Sequence, residues 1–251
     1  MTDRFQNAVV VVTGATSGIG LATAKAFAAE GASVFITGRR QDALDAAVKE
    51  IGGRVTGVAG DMARLADIDR LYDAVQQKHA QIDVVFANAG GGEFAPLGAI
   101  TEEHIDKTFG TNVKGVLFTV QKALPLLRDG GSIVMTGSTT SAEGTPAFSV
   151  YSASKAAVRN FARSWVLDLK DRGIRVNVVS PGATRTPGLL GLAGDDTARQ
   201  QGLLDTFAER IPLGRVGESD EVAKAVLFLA SKDASFVNGV ELFVDGGQAQ
   251  I

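Results

Sequence analysis

The chain is expected to fold as a doubly wound α/β domain, a parallel sheet of seven strands with helices on both faces. Three observations predict this. Short apolar, β-branched runs recur from end to end, segments of helical period fill the intervals, and each run is bounded by Gly, Asn, Asp or Ser. Near-continuous apolar runs suit strands buried on both faces, and alternating strand and helix gives a parallel sheet with right-handed crossovers. In order, the runs are Ala8–Thr13, Ser33–Gly38, Val55–Ala59, Val84–Ala87, Ser132–Thr136, Arg175–Ser180 and Val240–Val244. After the first, Ile19, Ala22, Thr23, Ala26 and Phe27 fall at i, i+3, i+4, i+7 and i+8, one face of a helix. One stretch breaks the pattern. Between Thr184 and Gly217, Pro187, Gly188, Gly191 and Gly194 interrupt Leu189, Leu190 and Leu192, and the segment reads as a long loop acting as a lid. With no linker, repeat or low-complexity tract, residues 1–251 are assigned to one domain.

Composition narrows the function. Lys and Arg total 25 against 28 Asp and Glu, a formal charge of −3 with no block of like charge, which disfavours a nucleic-acid partner. The absence of cysteine removes disulfides, thiolate metal sites and a cysteine nucleophile. His79 and His104 stand alone without ligand spacing, so no metal is expected. Met1–Asn7 lacks the apolar region of a signal peptide and no stretch approaches the ~18–20 apolar residues of a membrane span, so a soluble, cytoplasmic protein is expected. Glycine, at 30 residues, exceeds average usage of ~7% and must serve particular backbone positions.

The first such position follows the first strand, in Thr13-Gly14-Ala15-Thr16-Ser17-Gly18-Ile19-Gly20, where a helical pattern begins at once. A strand, a glycine turn and a helix start let the backbone approach a pyrophosphate at the positive end of the helix, so the turn reads as a dinucleotide site. About 20 residues on, an acid would meet the ribose 2′-hydroxyl of NAD and an arginine the 2′-phosphate of NADP. The second strand ends Ile36-Thr37-Gly38-Arg39-Arg40 with no carboxylate, which favours NADP(H) and leaves NAD(H) possible. The third and fourth strands end in Gly60-Asp61-Met62 and Asn88-Ala89-Gly90, at the edge where ligands bind in such sheets. Two roles suit Asp61, accepting from an adenine amino group or capping the next helix.

The fifth strand ends at Gly137-Ser138, and Tyr151-Ser152-Ala153-Ser154-Lys155 opens a later helix with Tyr151 and Lys155 on one face. Together they offer general acid–base chemistry. A neighbouring ammonium lowers the phenol of Tyr151 from its ordinary value near ~10, and the Ser138 hydroxyl supports charge developing on a substrate oxygen.

These residues, with Asn112, Pro181-Gly182, Asn238-Gly239 and Val244-Asp245-Gly246-Gly247, resemble the short single-domain branch of the short-chain dehydrogenase/reductase family along essentially the entire chain. The resemblance implies a Rossmann-type fold, hydride transfer with Tyr151 as general acid/base, Ser138 polarising the carbonyl, and Lys155 both tuning Tyr151 and binding the nicotinamide ribose. It further implies that Asn112 holds a water next to Lys155 and that Pro181, Gly182, Thr184 and Thr186 contact the nicotinamide side. Two positions depart from the family pattern. Ala87 stands where an Asn is frequent, and Ser17 where some NADP-using members carry a basic residue.

Phe94, Phe148, Leu189, Leu190 and Leu192 fall in the segments that contact substrate in this branch, and they suit an apolar ketone or β-ketoacyl compound, or else close a lid or pack an interface. The leading expectation resembles NADP(H)-dependent ketoreductases and 3-oxoacyl-acyl-carrier-protein reductases. The alternatives are an NAD(H)-dependent sugar or steroid alcohol dehydrogenase and a non-catalytic NADP(H) sensor. Arg128 and Arg172 are candidates to meet an acyl-carrier protein, though Asp129 and Asp171 adjoin them. The resemblance also implies a homotetramer joined through two long helices, about Thr101–Arg128 and Ser149–Arg172.

Overall fold

The structure, a computed structural model, describes residues 4–250; residues 1–3 and 251, counted above within the domain, lie outside the described residues. In chain order the main elements are β1 (Val9–Val12), α1 (Gly18–Ala29), β2 (Ser33–Gly38), α2 (Gln41–Ile51), β3 (Val55–Ala59), α3 (Leu65–Gln76), β4 (Ile82–Ala87), α4 (Glu102–Phe109), α5 (Val116–Ala123), β5 (Leu127–Thr136), α6 (Ser149–Asp168), β6 (Arg175–Pro181), β7 (Thr184–Arg185), α7 (Pro187–Gly191), α8 (Thr197–Arg210), β8 (Gly217–Glu218), α9 (Ser219–Ala230) and β9 (Glu241–Val244). Seven strands form one parallel sheet in the order β3-β2-β1-β4-β5-β6-β9. The chain steps outward from β1 to β3 and returns to β4 on the other side of β1, which opens a crevice at the carboxyl ends of β1 and β4.

The unbroken apolar runs have a direct cause. Val9 and Val11 of β1 enter one hydrophobic cluster, while Val10 and Val12 enter the other on the opposite face. Val85 and Ala87 of β4 divide from Val84 and Phe86 in the same way. β1 and the Val84–Ala87 part of β4 therefore carry an apolar residue at every position. Ala87 is buried in the first cluster.

Three expectations about elements are corrected. The Thr184–Gly217 segment is not a loop. Thr186 caps α7 by accepting from Leu189 N–H at 3.1 Å, with Pro187 at the first helical position, and Asp196 caps α8 by accepting from Ala198 and Arg199. Leu189 and Leu190 pack with Leu204, Phe207, Ile211 and Val216 in a small cluster of their own, and β7 pairs with β8 to close the base. The first of the two long helices is broken by a π-helical turn at Gly110–Gly115 and ends at Ala123, so Arg128 lies in β5. The second ends at Asp168, with Arg172 in a short 3₁₀ turn.

Phe86 is fully buried beneath the crevice. Phe86→Ala is expected to lower the unfolding free energy by about 3–5 kcal/mol in urea titration, with the slope against urea unchanged.

Candidate active site

Gly14 and Gly20 shape the first turn. Gly14 has φ +64°, and a side chain there would meet the Ala89 Cα at 2.8 Å. A side chain on Gly20 would lie 2.3 Å from the Gly14 carbonyl and 2.7 Å from Asn88 Nδ2. The crowding comes from Asn88, whose Nδ2 donates to the Thr13 and Gly14 carbonyls and whose Oδ1 accepts from Thr136 Oγ1 at 3.0 Å, tying together the ends of β1, β4 and β5. Ile19 packs against the second core cluster.

Over this turn runs a cleft of about 370 Å³. Among the residues expected at a cofactor, Gly14, Thr16, Ser17, Arg39, Asp61, Met62, Ala89 and Gly90 line it, together with Asn112. Backbone lies bare along its floor beside the start of α1, so a dinucleotide fits the groups present. Pro181, Gly182, Thr184 and Thr186 come from the other side of the crevice. Thr184 is buried and donates to the Gly182 carbonyl at 3.1 Å, and the Thr186 side chain sits over Gly18. Arg40 is exposed beside Asp42 at 3.8 Å and does not line the cleft.

Sequence reasoning missed part of the wall. Lys107, Thr108 and Thr111 line the cleft from α4 and the π turn; Thr108 lies four residues before Asn112, a spacing that could have flagged it. Arg64 and Arg70 share a hollow with Arg39, Asp61 and Asp67 at the end of β3. There the Asp67 carboxylate accepts from Asp61 N–H and from Arg70, which holds it below the usual carboxylate range. Of the two roles for Asp61, the structure displays a turn cap, with Oδ1 accepting from Ala63 N–H at 2.9 Å.

The second constellation adjoins the cleft through Gly90–Gly92. Asn112 is fully buried in the π turn, which rotates it out of the helical ladder. Its Nδ2 donates to the Gly91 carbonyl and to Ser154 Oγ, each at 2.9 Å, and its Oδ1 accepts from Gly91 N–H. Lys155 is 2% exposed and donates to the Thr136 carbonyl at 2.8 Å. Its Nζ lies 5.5 Å from the centre of the Tyr151 ring. Ser138 follows β5, is buried, and accepts from Thr140 Oγ1 at 3.0 Å.

The electrostatics differ from the sequence expectation. Burial pushes the Tyr151 phenol above its ordinary value, with the Ser138 hydroxyl opposing in part. Burial also pulls the Lys155 ammonium down to about 8. Low dielectric disfavours both charged forms at once, so desolvation outweighs the attraction between ammonium and phenolate in the bare site.

A family model described as enoyl-(acyl carrier protein) reductase matches residues 14–249. An oxidoreductase of Sarocladium schorii is 49% identical over 250 residues, covering 99% of this chain and 98% of that protein. A 3-oxoacyl-[acyl-carrier-protein] reductase of Thermotoga maritima is 39% identical over 249 residues, covering 97% and 98%. The crystal structure of levodione reductase superposes with a TM-score of 0.93 at 32% identity, covering 98% of this chain and 99% of the other. The chain belongs to the short-chain dehydrogenase/reductase family and is an oxidoreductase of that family. Members use NAD(P)(H). Among the described residues no helix is long and apolar enough to cross a membrane.

Lys155 carries a stability cost that can be measured. Its folded value of about 8 lies below the ordinary lysine value of 10.5, so the unfolded chain binds the extra proton and wild-type stability rises between those pH values. Lys155→Met is expected to gain about 2 kcal/mol near pH 7 in urea unfolding, with the advantage shrinking as pH rises from 8 to 10.5.

Proposed function

We propose that the chain is an NADP(H)-dependent carbonyl reductase and alcohol dehydrogenase, interconverting a ketone or β-ketoacyl carbonyl and a secondary alcohol. The observation that carries this reading is the meeting of Tyr151, Ser138, Lys155 and Asn112 at the end of the glycine-floored cleft. The turn from Gly14 to Gly20 would hold the pyrophosphate, Asp61 and Met62 the adenine side, Asn88–Gly90 and Lys155 the nicotinamide ribose, and Pro181, Gly182, Thr184 and Thr186 the carboxamide side. Bound there, the nicotinamide supplies the hydride in reduction and takes it up in oxidation.

The protein's own part is proton and charge handling. Ser138 Oγ donates to the carbonyl oxygen and stabilises the negative charge that grows on it. Tyr151 gives that oxygen its proton and recovers one from solvent along Lys155 and the Asn112 region. In oxidation each proton runs the other way. A phenol raised by burial keeps its proton at neutral pH, which suits reduction, whereas oxidation needs the phenolate and gains with rising pH.

Arg39 supports the NADP form. It is exposed, lines both the cleft and the adjoining hollow, and makes no ion pair among the described residues, while Arg70 there is occupied by Asp67. Phe94 and Phe148, with ring centres 4.7 Å apart and planes at 40°, support an apolar substrate. Delivery by an acyl-carrier protein has weaker support, because Arg128 pairs with Asp83 and Arg172 with Asp129. A homotetramer in the cytoplasm belongs to the same reading, and exposed Leu167, Phe228 and Phe236 offer apolar surface for association.

Tyr151→Phe is expected to lower turnover of a ketone panel by at least about 100-fold while NADPH binding, followed by fluorescence, is unchanged; retained turnover refutes the mechanism. In the wild type, alcohol oxidation should climb through alkaline pH while ketone reduction does not. Arg39→Asp is expected to lower the NADPH-to-NADH ratio of kcat/KM by about tenfold or more, and an unchanged ratio removes the arginine argument.

A further inference from the structure

Tyr151 is enclosed by residues that the mechanism above does not use. Phe148 lies three residues before it, and their ring centres are 4.5 Å apart with planes at 32°. Phe94 leans in turn on Phe148, their ring centres 4.7 Å apart and their planes at 40°. Gly92 presses its backbone on the phenol ring: a side chain there would meet Tyr151 Cδ2 at 2.5 Å, Cγ at 2.7 Å and Cβ at 2.9 Å.

The backbone is bent to hold this arrangement. Ala147 has φ +56°, in the left-handed region where a Cβ is strained, and its carbonyl accepts from Ala95 N–H at 2.7 Å. That bond joins the loop carrying Gly92 and Phe94 to the loop carrying Phe148. Phe148 then stands at the cap of α6, where its carbonyl accepts from Ser152 N–H at 3.0 Å. Strain at a non-glycine residue persists only where its surroundings over-determine it. Here they set one aromatic ring against the tyrosine.

We propose that Phe148 is a positioning residue for Tyr151, clasping the phenol ring together with Gly92 so that its hydroxyl stays beside Ser138. The first side-chain torsion of a tyrosine has several staggered wells that carry its hydroxyl to different places, so packing must fix which well is occupied. A shift of about 1 Å at a reacting group costs on the order of 100-fold in rate. The inference rests on Tyr151 being the proton donor, as read above. The charged groups around the ring are accounted for: Lys155 of α6 at 5.5 Å from its centre, Glu93 beside Gly92 paired with Lys107, and Glu143 of the preceding loop bonded to Gln248.

The test compares Phe148→Ala, Phe148→Leu, Phe148→Tyr and Gly92→Ala with the wild type and with Tyr151→Phe. NADPH affinity is read by fluorescence, and kcat and KM with 2-butanone, cyclohexanone and acetophenone. Phe148→Ala and Phe148→Leu should lose about tenfold or more in kcat with NADPH affinity unchanged, Phe148→Tyr should restore it, and Gly92→Ala should lose kcat by displacing the ring from its other contact. A rise in KM alone would make Phe148 only a substrate wall and overturn the proposal. If Tyr151→Phe is inactive and the Phe148 variants keep their kcat, the positioning role fails by itself; if Tyr151→Phe stays active, the underlying reading fails. A second measurement needs no substrate. The chain has 2 tyrosines, and burial pushes Tyr72 far up, so the lower ultraviolet phenolate step reports Tyr151. Opening its aromatic cover in Phe148→Leu should lower that step, and an unmoved midpoint also overturns the proposal.

Discussion

A lysine ammonium buried at 2% exposure, with a backbone carbonyl as its hydrogen-bond partner, is the constraint around which the site is built. Desolvation brings it to about 8, near the point where it can exist in either form at physiological pH. Keeping such a group dry and still close to the Tyr151 ring demands space on one side and rigid support on the other. The space comes from Gly90, where a side chain would sit 3.3 Å from Lys155 Nζ and 3.0 Å from Asn112 Oδ1. The support comes from the end of β5, whose Thr136 gives its carbonyl to Lys155 and its hydroxyl to Asn88.

Asn112 is reached by a different device. A regular α-helix through Gly110–Gly115 would carry all its backbone bonds internally and present side chains at fixed spacing. The π turn inserts a residue's worth of slack, and Asn112 then bonds Gly91 through both its amide donor and its carbonyl. In this way the loop after β4 is held against α6 by side-chain bonds, and Gly92 is delivered to the Tyr151 ring. The reversal of strand order makes the crevice, but these local departures from regular structure furnish it.

All seven strands of the main sheet were legible in the sequence, the central ones most plainly, because burial of β1 and β4 on both faces gives near-continuous apolar runs that a one-sided sheet would not produce. The glycine turn and the Ser138, Tyr151, Lys155 set were legible because their spacing has one economical explanation. What stayed hidden depends on partners distant in sequence. Leu189, Leu190 and Leu192 read as an interrupted loop, since the residues that cover Leu189 and Leu190, among them Leu204 and Phe207, come later in the chain. The break at Gly110–Gly115 has no residue signature beyond its glycines. The direction of the Tyr151 shift was misjudged because spacing reports the neighbouring ammonium and is blind to the depth at which both groups lie.

The two ends of the cleft work under different electrostatic conditions. Arg39 stands in solvent at the open end, where water and salt screen it, so in the proposed reading it would discriminate between cofactors by a moderate factor at little cost to folding. Lys155 stands in the dry end, where the same unit charge costs stability and acts on its neighbours almost unscreened. On that reading, recognition of an outer phosphate would change with single surface substitutions that leave the core undisturbed. The proposed chemistry would not, because Lys155 and Asn112 at the buried end are held by backbone of Thr136 and Gly91.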